Sequence, residues 1–197
     1  MPNPSCQELQ RRMGRIYKLP PKMKSSEIGN LGTQQGIYDP HCNLIYYYIY
    51  SQETQGFFYK EVDTNFQHVP NIAIWDIPKK TKFLLFQDGF LGQSSIRSIY
   101  FEQVYDADKN AILLNNNRRC LNNNCLVERE PKNKLLIETY QPRDKRITLW
   151  TCDKWGNGLK KLGQFHFNVQ WHIDIYNESI RIMEHRGNDI QVTEFSW

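Results

Sequence analysis

From Gly36 onward, short apolar segments alternate with polar turns along the chain. The segments are rich in Ile, Val, Tyr, Phe and Trp, and the turns contain Asn, Asp, Gly or Pro. This pattern predicts about a dozen short strands joined mainly by hairpins, which is typical of a sandwich, a barrel or a propeller. The predicted strands are Leu44–Tyr50, Phe57–Val62, Ile72–Ile77, Lys82–Phe86, Ile96–Tyr105, Ala111–Leu114, Leu135–Tyr140, Arg146–Thr151, Leu159–Phe167, Val169–Ile175, Ile180–Glu184 and Ile190–Phe195.

A different pattern occupies the N-terminal part of the chain. Ser5 and Glu8 have the spacing of a capping box, and Leu9, Met13 and Ile16 then fall on one helical stripe. This predicts a short amphipathic helix, followed by a linker that is rich in Ser and Gly. We therefore expect residues 1–35 to form an arm and linker, and residues 36–197 to form a single all-β domain.

Weak internal similarity runs through the predicted strands. Asp39-x-x-x-Asn43-Leu-Ile-Tyr is similar to Asp106-x-x-x-Asn110-Ala-Ile-Leu, and IAIWD followed by a polar turn and KFLL is similar to ITLWTCD, a turn and LKKL. These pieces resemble blades of TolB-like or WD-type propellers. The resemblance is best between Lys134 and Trp197, and it implies a small or partial propeller of at most about four blades. A sandwich or a barrel is the alternative.

Composition supports strands over helices. The chain has only three alanines against 11 Tyr and 10 Phe, and alanine is the best helix former whereas aromatic residues favour strands. No apolar run approaches the ~18 residues of a membrane-spanning helix, and the first residues lack the apolar region of a signal peptide. These features indicate a cytoplasmic protein without a membrane segment.

The net charge of +4 is unevenly distributed. The first 24 residues carry six basic side chains and one acid, for a formal charge of +5, while the remaining 173 residues carry 19 basic and 20 acidic side chains. The arm could bind phosphates, or it could dock on the body as an amphipathic helix with solvated charges. The basic residues of the arm are Arg11, Arg12, Arg15, Lys18, Lys22 and Lys24.

Motifs for catalysis or metal binding are not found. The five cysteines have no CxxC spacing, and the sequence contains no GxSxG, GxGxxG, P-loop or HExxH motif. His166 and His172 could share one face of an extended strand, but Asn168 indicates a turn between them. We therefore expect no cofactor, no metal and no catalytic residues.

The sequence offers more candidates for partner binding than for catalysis or metal binding. Trp155 lies in the predicted turn DKWGNG, where a core tryptophan is unusual, and Trp and Arg are enriched at interface hot spots. Charged residues also surround an asparagine-rich loop near residues 115–127. This loop either takes part in recognition or is a solvated surface loop without a binding role. The candidate set is Trp155, Asp106, Asp108, Arg118, Arg119, Glu128 and Glu130.

Three functions follow from these observations. A compact scaffold with irregular loops resembles, in general character, the cytoplasmic immunity proteins that bacteria pair with toxins. That resemblance implies a protein-binding module that occludes the active site of a toxin such as a nuclease, with acids facing a basic cleft. The second function is nucleic-acid binding by the basic arm and exposed aromatic residues. The third is a small hydrolase or a carbohydrate-binding β protein, which requires a pocket with convergent polar groups.

Overall fold

A computed structural model of the chain describes residues 31–33, 36–51, 68–87, 91, 93–106, 111–115, 119–121 and 129–197. The all-β prediction is confirmed, because this part of the chain contains antiparallel strands and no α-helix. The predicted N-terminal helix and the predicted strand Phe57–Val62 lie outside the described residues. Within the described ranges, no helix is long and apolar enough to cross a membrane.

Three antiparallel sheets and one hairpin make up the described structure. Sheet 1 contains β1 (Leu31–Thr33), β2 (Ile37–Asp39), β3 (Leu44–Ser51), β4 (Asn71–Asp76) and β5 (Thr81–Leu84). Sheet 2 contains β6 (Ser95–Tyr100), β9 (Leu135–Gln141), β10 (Arg146–Cys152) and β11 (Lys160–His166). Sheet 3 contains β12 (Gln170–Asp174), β13 (Ser179–Arg186) and β14 (Asp189–Ser196). The hairpin pairs β7 (Glu102–Asp106) with β8 (Ala111–Leu114).

Sheet 2 lies between two hydrophobic cores. Leu135 and Ile137 of β9 pack in the first core with the apolar face of sheet 1, whereas Leu136 between them packs in the second core with sheet 3. This division follows from the two-residue period of a strand, which points neighbouring side chains to opposite faces. The tyrosine-rich strand β3 obeys the same rule, since Tyr46 packs in the first core and Tyr47 lies on the other face of sheet 1.

Two predictions differ from the structure by more than the one or two residues at strand ends. The segment Ile96–Tyr105 is not one strand: Phe101 separates β6 from β7, and the backbone N–H of Phe101 donates to the Asn115 side chain instead of joining a ladder. The apolar pattern continues across Phe101 because both flanking strands contribute to buried faces. Strand β1, in turn, lies within the segment predicted as arm and linker, and it pairs with the C-terminal half of β3.

The sheets of the described residues are open, and none closes into a barrel. The propeller-like arrangement stays a prediction. Strand β14 is an edge strand in this part of the chain, because it pairs with β13 alone. Its side chains Ile190 and Val192 are 58% and 56% exposed.

One end of the molecule gathers four β-turns, which we call the turn face. It consists of the turns 40–43, 77–80, 153–158 and 175–178, together with the segment 129–134. The register Leu44↔Asp76 places the first two turns side by side, and the backbone N–H of Ile77 donates to the carbonyl of Asn43. The turns at 142–145, 167–168 and 187–188 lie at the opposite end of sheets 2 and 3.

Candidate functional site

Trp155 lies in the turn that joins β10 to β11. The carboxylate of Asp153 shapes this turn, since its Oδ1 accepts hydrogen bonds from the backbone N–H groups of Trp155 at 2.9 Å and Asn157 at 2.7 Å. Gly156 and Gly158 have φ angles of +85° and +67°, which are readily adopted only by glycine. The local sequence therefore fixes a tight turn that presents the indole ring, as the predicted turn DKWGNG implied.

A hydrogen bond ties Trp155 to a distant strand. Its indole Nε1 donates to Oδ2 of Asp76 at 2.9 Å, and Asp76 is the last residue of β4. The backbone N–H of Lys79 donates to Asp76 Oδ1 at 3.0 Å, and the Lys79 ammonium lies 3.1 Å from Oδ2. Burial of Asp76 raises its pKa, but the hydrogen bonds from Lys79 and Trp155 and the Lys79 charge outweigh it, so the pKa lies below its usual range. Asp76 is therefore a carboxylate at neutral pH.

An open pocket of about 520 Å³ lies beside this contact. Its lining includes the aromatic rings of Trp155 and Phe83, and the ammonium of Lys79 lies 5.4 Å from the centroid of the Trp155 ring. The pocket combines apolar ring faces with amide, hydroxyl and charged groups. The described residues that line it are Asp76, Lys79, Thr81, Phe83, Gln87, Trp155 and Asn157.

The neighbouring residue, Lys154, points into the protein and anchors the turn. Its ammonium is completely buried, lies 2.9 Å from Oδ2 of Asp39 and donates to the carbonyl of Glu102 at 2.8 Å. Its backbone N–H donates to the Asn133 side chain at 3.0 Å, and its carbonyl accepts from the Tyr46 hydroxyl at 3.0 Å. These bonds join the Trp155 turn to β2, β3, β7 and the segment 129–134.

Glu102 extends this network toward sheet 3. Arg129 donates to both oxygens of the buried Glu102 carboxylate, at 2.6 and 2.7 Å, in the bidentate geometry that suits a guanidinium. The backbone N–H of Lys132 and the indole of Trp197 each add a hydrogen bond at 2.8 Å. Arg129 also donates to the carbonyl of Ile175 at 3.2 Å, at the turn between β12 and β13. Internal polar contacts therefore fix the turns of the turn face relative to one another.

The turn face exposes large apolar and aromatic side chains. Tyr176 is 63% exposed, Tyr38 is 48% exposed and Ile77 is 39% exposed, and each lies in or beside a turn. Trp155 lies partly exposed on the same face. At the opposite end, Phe167 in the turn 167–168 is 46% exposed, and Ile190, which lies two residues after the turn 187–188, is 58% exposed.

The structure separates the residues that the sequence grouped for partner binding. Glu130 lies on the turn face with Trp155, and its carboxylate is 4.0 Å from the imidazole of His41. Arg119 lies away from this face, against β12: its guanidinium stacks 4.2 Å from the Trp171 ring centroid and donates to the Trp171 carbonyl. One of its nitrogens is also 3.7 Å from Glu138, so the contacts of Arg119 are internal.

The backbone of Asp106 lies at the far end of β7 from Glu102. Asp108, Arg118 and Glu128 lie outside the described residues, as do the six basic residues of the arm. Nucleic-acid binding by Arg11, Arg12, Arg15, Lys18, Lys22 and Lys24 therefore stays a prediction. Asp76, Lys79 and Tyr176 were not among the site residues predicted from the sequence. A signal was present for Tyr176, because it is a second large aromatic residue in a predicted turn.

Within the described part of the chain, no three His, Cys, Asp or Glu side chains come close enough together to hold a metal ion. The predicted turn between His166 and His172 is present at 167–168, so the two residues are on different strands. No family model, no curated protein and no solved structure matches the chain.

Proposed function

We propose that this chain is a protein-binding module and that the turn face is its partner-binding surface. The observation that carries the proposal is the presence of Tyr38, Ile77, Trp155 and Tyr176 in or beside turns at one end of the sheets. Tyrosine and tryptophan are enriched among the residues that dominate the energy of protein interfaces. They bury a large area at a low cost in conformational entropy, because each side chain has only two rotatable bonds.

The rigidity of the turn face supports the same function. Lys154 fixes the Trp155 turn through a buried hydrogen bond, and Arg129 fixes the β12–β13 turn through a partly buried one. A surface held in one geometry before binding loses less conformational freedom on association. Lys79, over the Trp155 ring, and Glu130, beside His41, are charged groups on the same face and are suited to select among partners.

The partner in this proposal is a bacterial toxin, and the chain acts as a cytoplasmic immunity protein that occludes the toxin's active site, for example that of a nuclease. Aromatic anchors on the turn face supply affinity. Acids near the face, with Glu130 among the described residues, complement a basic cleft on the toxin. Asp108 and Glu128 belong to the same proposed acidic contribution, whereas Asp106, at the far end of β7 from Glu102, is not counted with the acids near the face.

The proposal includes a propeller-like arrangement of sheets 1, 2 and 3. Its support is that successive sheets along the chain pack face to face through two cores, with turns collected at one end. In propellers, the turns at one end of the blades form a continuous surface for recognition.

Site-specific photocrosslinking in cells that make this protein tests the proposal. A benzophenone amino acid is placed at the position of Tyr176 in one version of the full chain and at Ile77 in another, and adducts are identified by mass spectrometry. The matched control places it at Phe167, which has similar exposure at the opposite end. We expect both turn-face positions to capture the same protein in a stoichiometric adduct. The control position should not capture that protein.

The purified adduct protein is then assayed for toxicity and for nuclease activity, with and without this chain. Loss of its activity at equimolar amounts of the chain is expected of an immunity protein. The proposal is overturned if the turn-face positions give no stoichiometric adduct, if Phe167 captures the same protein equally, or if the captured protein stays fully active in the complex.

A further inference from the structure

The pocket beside Trp155 has the chemistry of a small-molecule site in addition to its place at the margin of the turn face. We propose that it binds a neutral saccharide of one or two rings. Its volume of about 520 Å³ lies within the range of roughly 300–1,000 Å³ that is usual for ligand pockets. It is open to solvent, so a longer glycan could extend out of it.

Charge in the pocket argues for a neutral ligand. Among the described residues that line the pocket, the ammonium of Lys79 lies 3.1 Å from the carboxylate of Asp76. A phosphate or a carboxylate ligand would meet Asp76 beside the ammonium, and a cationic ligand would meet Lys79 beside the carboxylate. Since each charge already has its counterion, neither provides the unpaired charge on which tight binding of an ion depends.

The hydrogen-bonding groups suit hydroxyl-rich ligands. Nδ2 of Asn157 donates to Oδ2 of Asp153 at 2.9 Å, which orients the amide and leaves its carbonyl oxygen as an acceptor. The amide of Gln87 and the hydroxyl of Thr81 also line the pocket, and each can donate and accept. A sugar hydroxyl has the same dual capacity, so these neutral groups can pair with several hydroxyls of one ring.

The aromatic rings complete the match. A sugar ring has an apolar face of C–H groups and a polar rim of hydroxyls, and Trp155 and Phe83 provide ring surfaces for the apolar face. The hydrogen bond to Asp76 fixes the orientation of the Trp155 ring before a ligand arrives. Nucleotides fit less well, because their phosphates would require a cation that is free of the Asp76 carboxylate.

The test titrates the purified full chain with cellobiose, maltose, lactose and N,N′-diacetylchitobiose, with adenosine as a competing ligand class. Binding is followed by tryptophan fluorescence and by saturation-transfer NMR. We expect saturable binding of at least one disaccharide. We also expect at least tenfold weaker binding in Trp155→Ala and about threefold to tenfold weaker binding in Gln87→Ala.

Gln87 is exposed, so its variant keeps the proposal testable if Trp155→Ala fails to fold. Phe167→Ala is the matched control and should bind as the unmodified chain does. Tyr176→Ala should also bind the sugar normally while weakening a protein partner on the turn face, which distinguishes this proposal from the preceding one. No saturable binding of any of the four sugars, binding that Gln87→Ala leaves unchanged, or preferential binding of adenosine would overturn it.

Discussion

The ammonium of Lys154 lies 2.9 Å from Oδ2 of Asp39, and both side chains are completely buried. Removing one member of a buried ion pair leaves the other charge without a counterion, which typically costs about 3–5 kcal/mol. We therefore expect Lys154→Met to lower the free energy of unfolding by about 3–5 kcal/mol, as measured by urea denaturation.

The double variant Lys154→Met, Asp39→Asn provides the control for this prediction. Asparagine keeps the Oδ1 atom that accepts the backbone N–H of His41, while it removes the orphaned charge. The double variant should therefore be more stable than Lys154→Met alone. A double variant whose loss equals the sum of the two single losses would show that the pair is not coupled.

Glu102 is the second buried charge on which the turn face depends. Glu102→Gln removes the negative charge that faces Arg129 and replaces one accepting oxygen with an amide that cannot accept. We expect a loss of about 3–5 kcal/mol in the free energy of unfolding, measured by chemical denaturation. The matched change Glu130→Gln, at an exposed carboxylate, should stay within about 0.5 kcal/mol of the unmodified chain. Equal losses from the two variants would contradict the role of Glu102.

The contact between Trp155 and Asp76 predicts that the fold loses stability in acid. The folded-state pKa of Asp76 is lowered, so its ionisation stabilises the fold above the unfolded pKa of about 3.9, and this contribution is lost as the pH falls through the folded-state pKa. Trp155→Phe removes the indole donor and should raise the pKa of Asp76, at a cost of about 1 kcal/mol near pH 7.

NMR titration of the Asp76 carboxyl and acid unfolding followed by circular dichroism measure this change. The acid-unfolding midpoint of Trp155→Phe should move to higher pH. The control is Trp75→Phe at the adjacent position of β4, which should leave the pKa of Asp76 unchanged. An unchanged Asp76 pKa in Trp155→Phe would contradict the proposed contact.

The lowered pKa of His172 predicts that the stability of the fold also depends on pH in a milder range. Burial lowers the pKa of His172 most, and the positive charge of Arg181 lowers it further; Asp174 opposes these effects in part, and Arg119 adds a smaller lowering effect. The folded state thus binds fewer protons than the unfolded state, and the free energy of unfolding should decrease as the pH falls below about 6.5 and level off below the folded-state pKa.

His172→Gln should flatten this part of the stability profile. The comparison is made by urea denaturation at several pH values between 5 and 8, and the difference between the two profiles isolates His172 from the other histidines. Identical slopes in the two proteins would contradict the prediction.

Most of the strands could be predicted from the sequence because their signals are local. The turn after β10 illustrates this: Asp153 accepts two backbone hydrogen bonds within four residues, and two glycines adopt positive φ angles in the same turn. Polar turns between alternating apolar segments mark hairpins without any knowledge of distant partners. The break at Phe101 was missed, because a chain can pass from one buried face to another without interrupting its apolar pattern.

The candidate site was predictable only in part. Trp155 stood out as a tryptophan in a turn, but its partner Asp76 is 79 residues away in the sequence. Lys154 would be read as a solvated turn lysine, since lysine is almost never fully buried unless it is paired. Its burial depends on Asp39 in sheet 1 and Glu102 in the β7–β8 hairpin, which meet it only in the folded chain. Such long-range polar contacts leave no local pattern.

The position of sheet 2 between the two cores has a consequence for the integrity of the molecule. Because β9 directs alternate side chains into opposite cores, cleaving the chain between sheets 1 and 2 or between sheets 2 and 3 exposes apolar surface on both fragments. A single fragment expressed alone would therefore have an uncovered apolar face. Complementary fragments, by contrast, carry matching apolar faces and should reassemble when they are mixed.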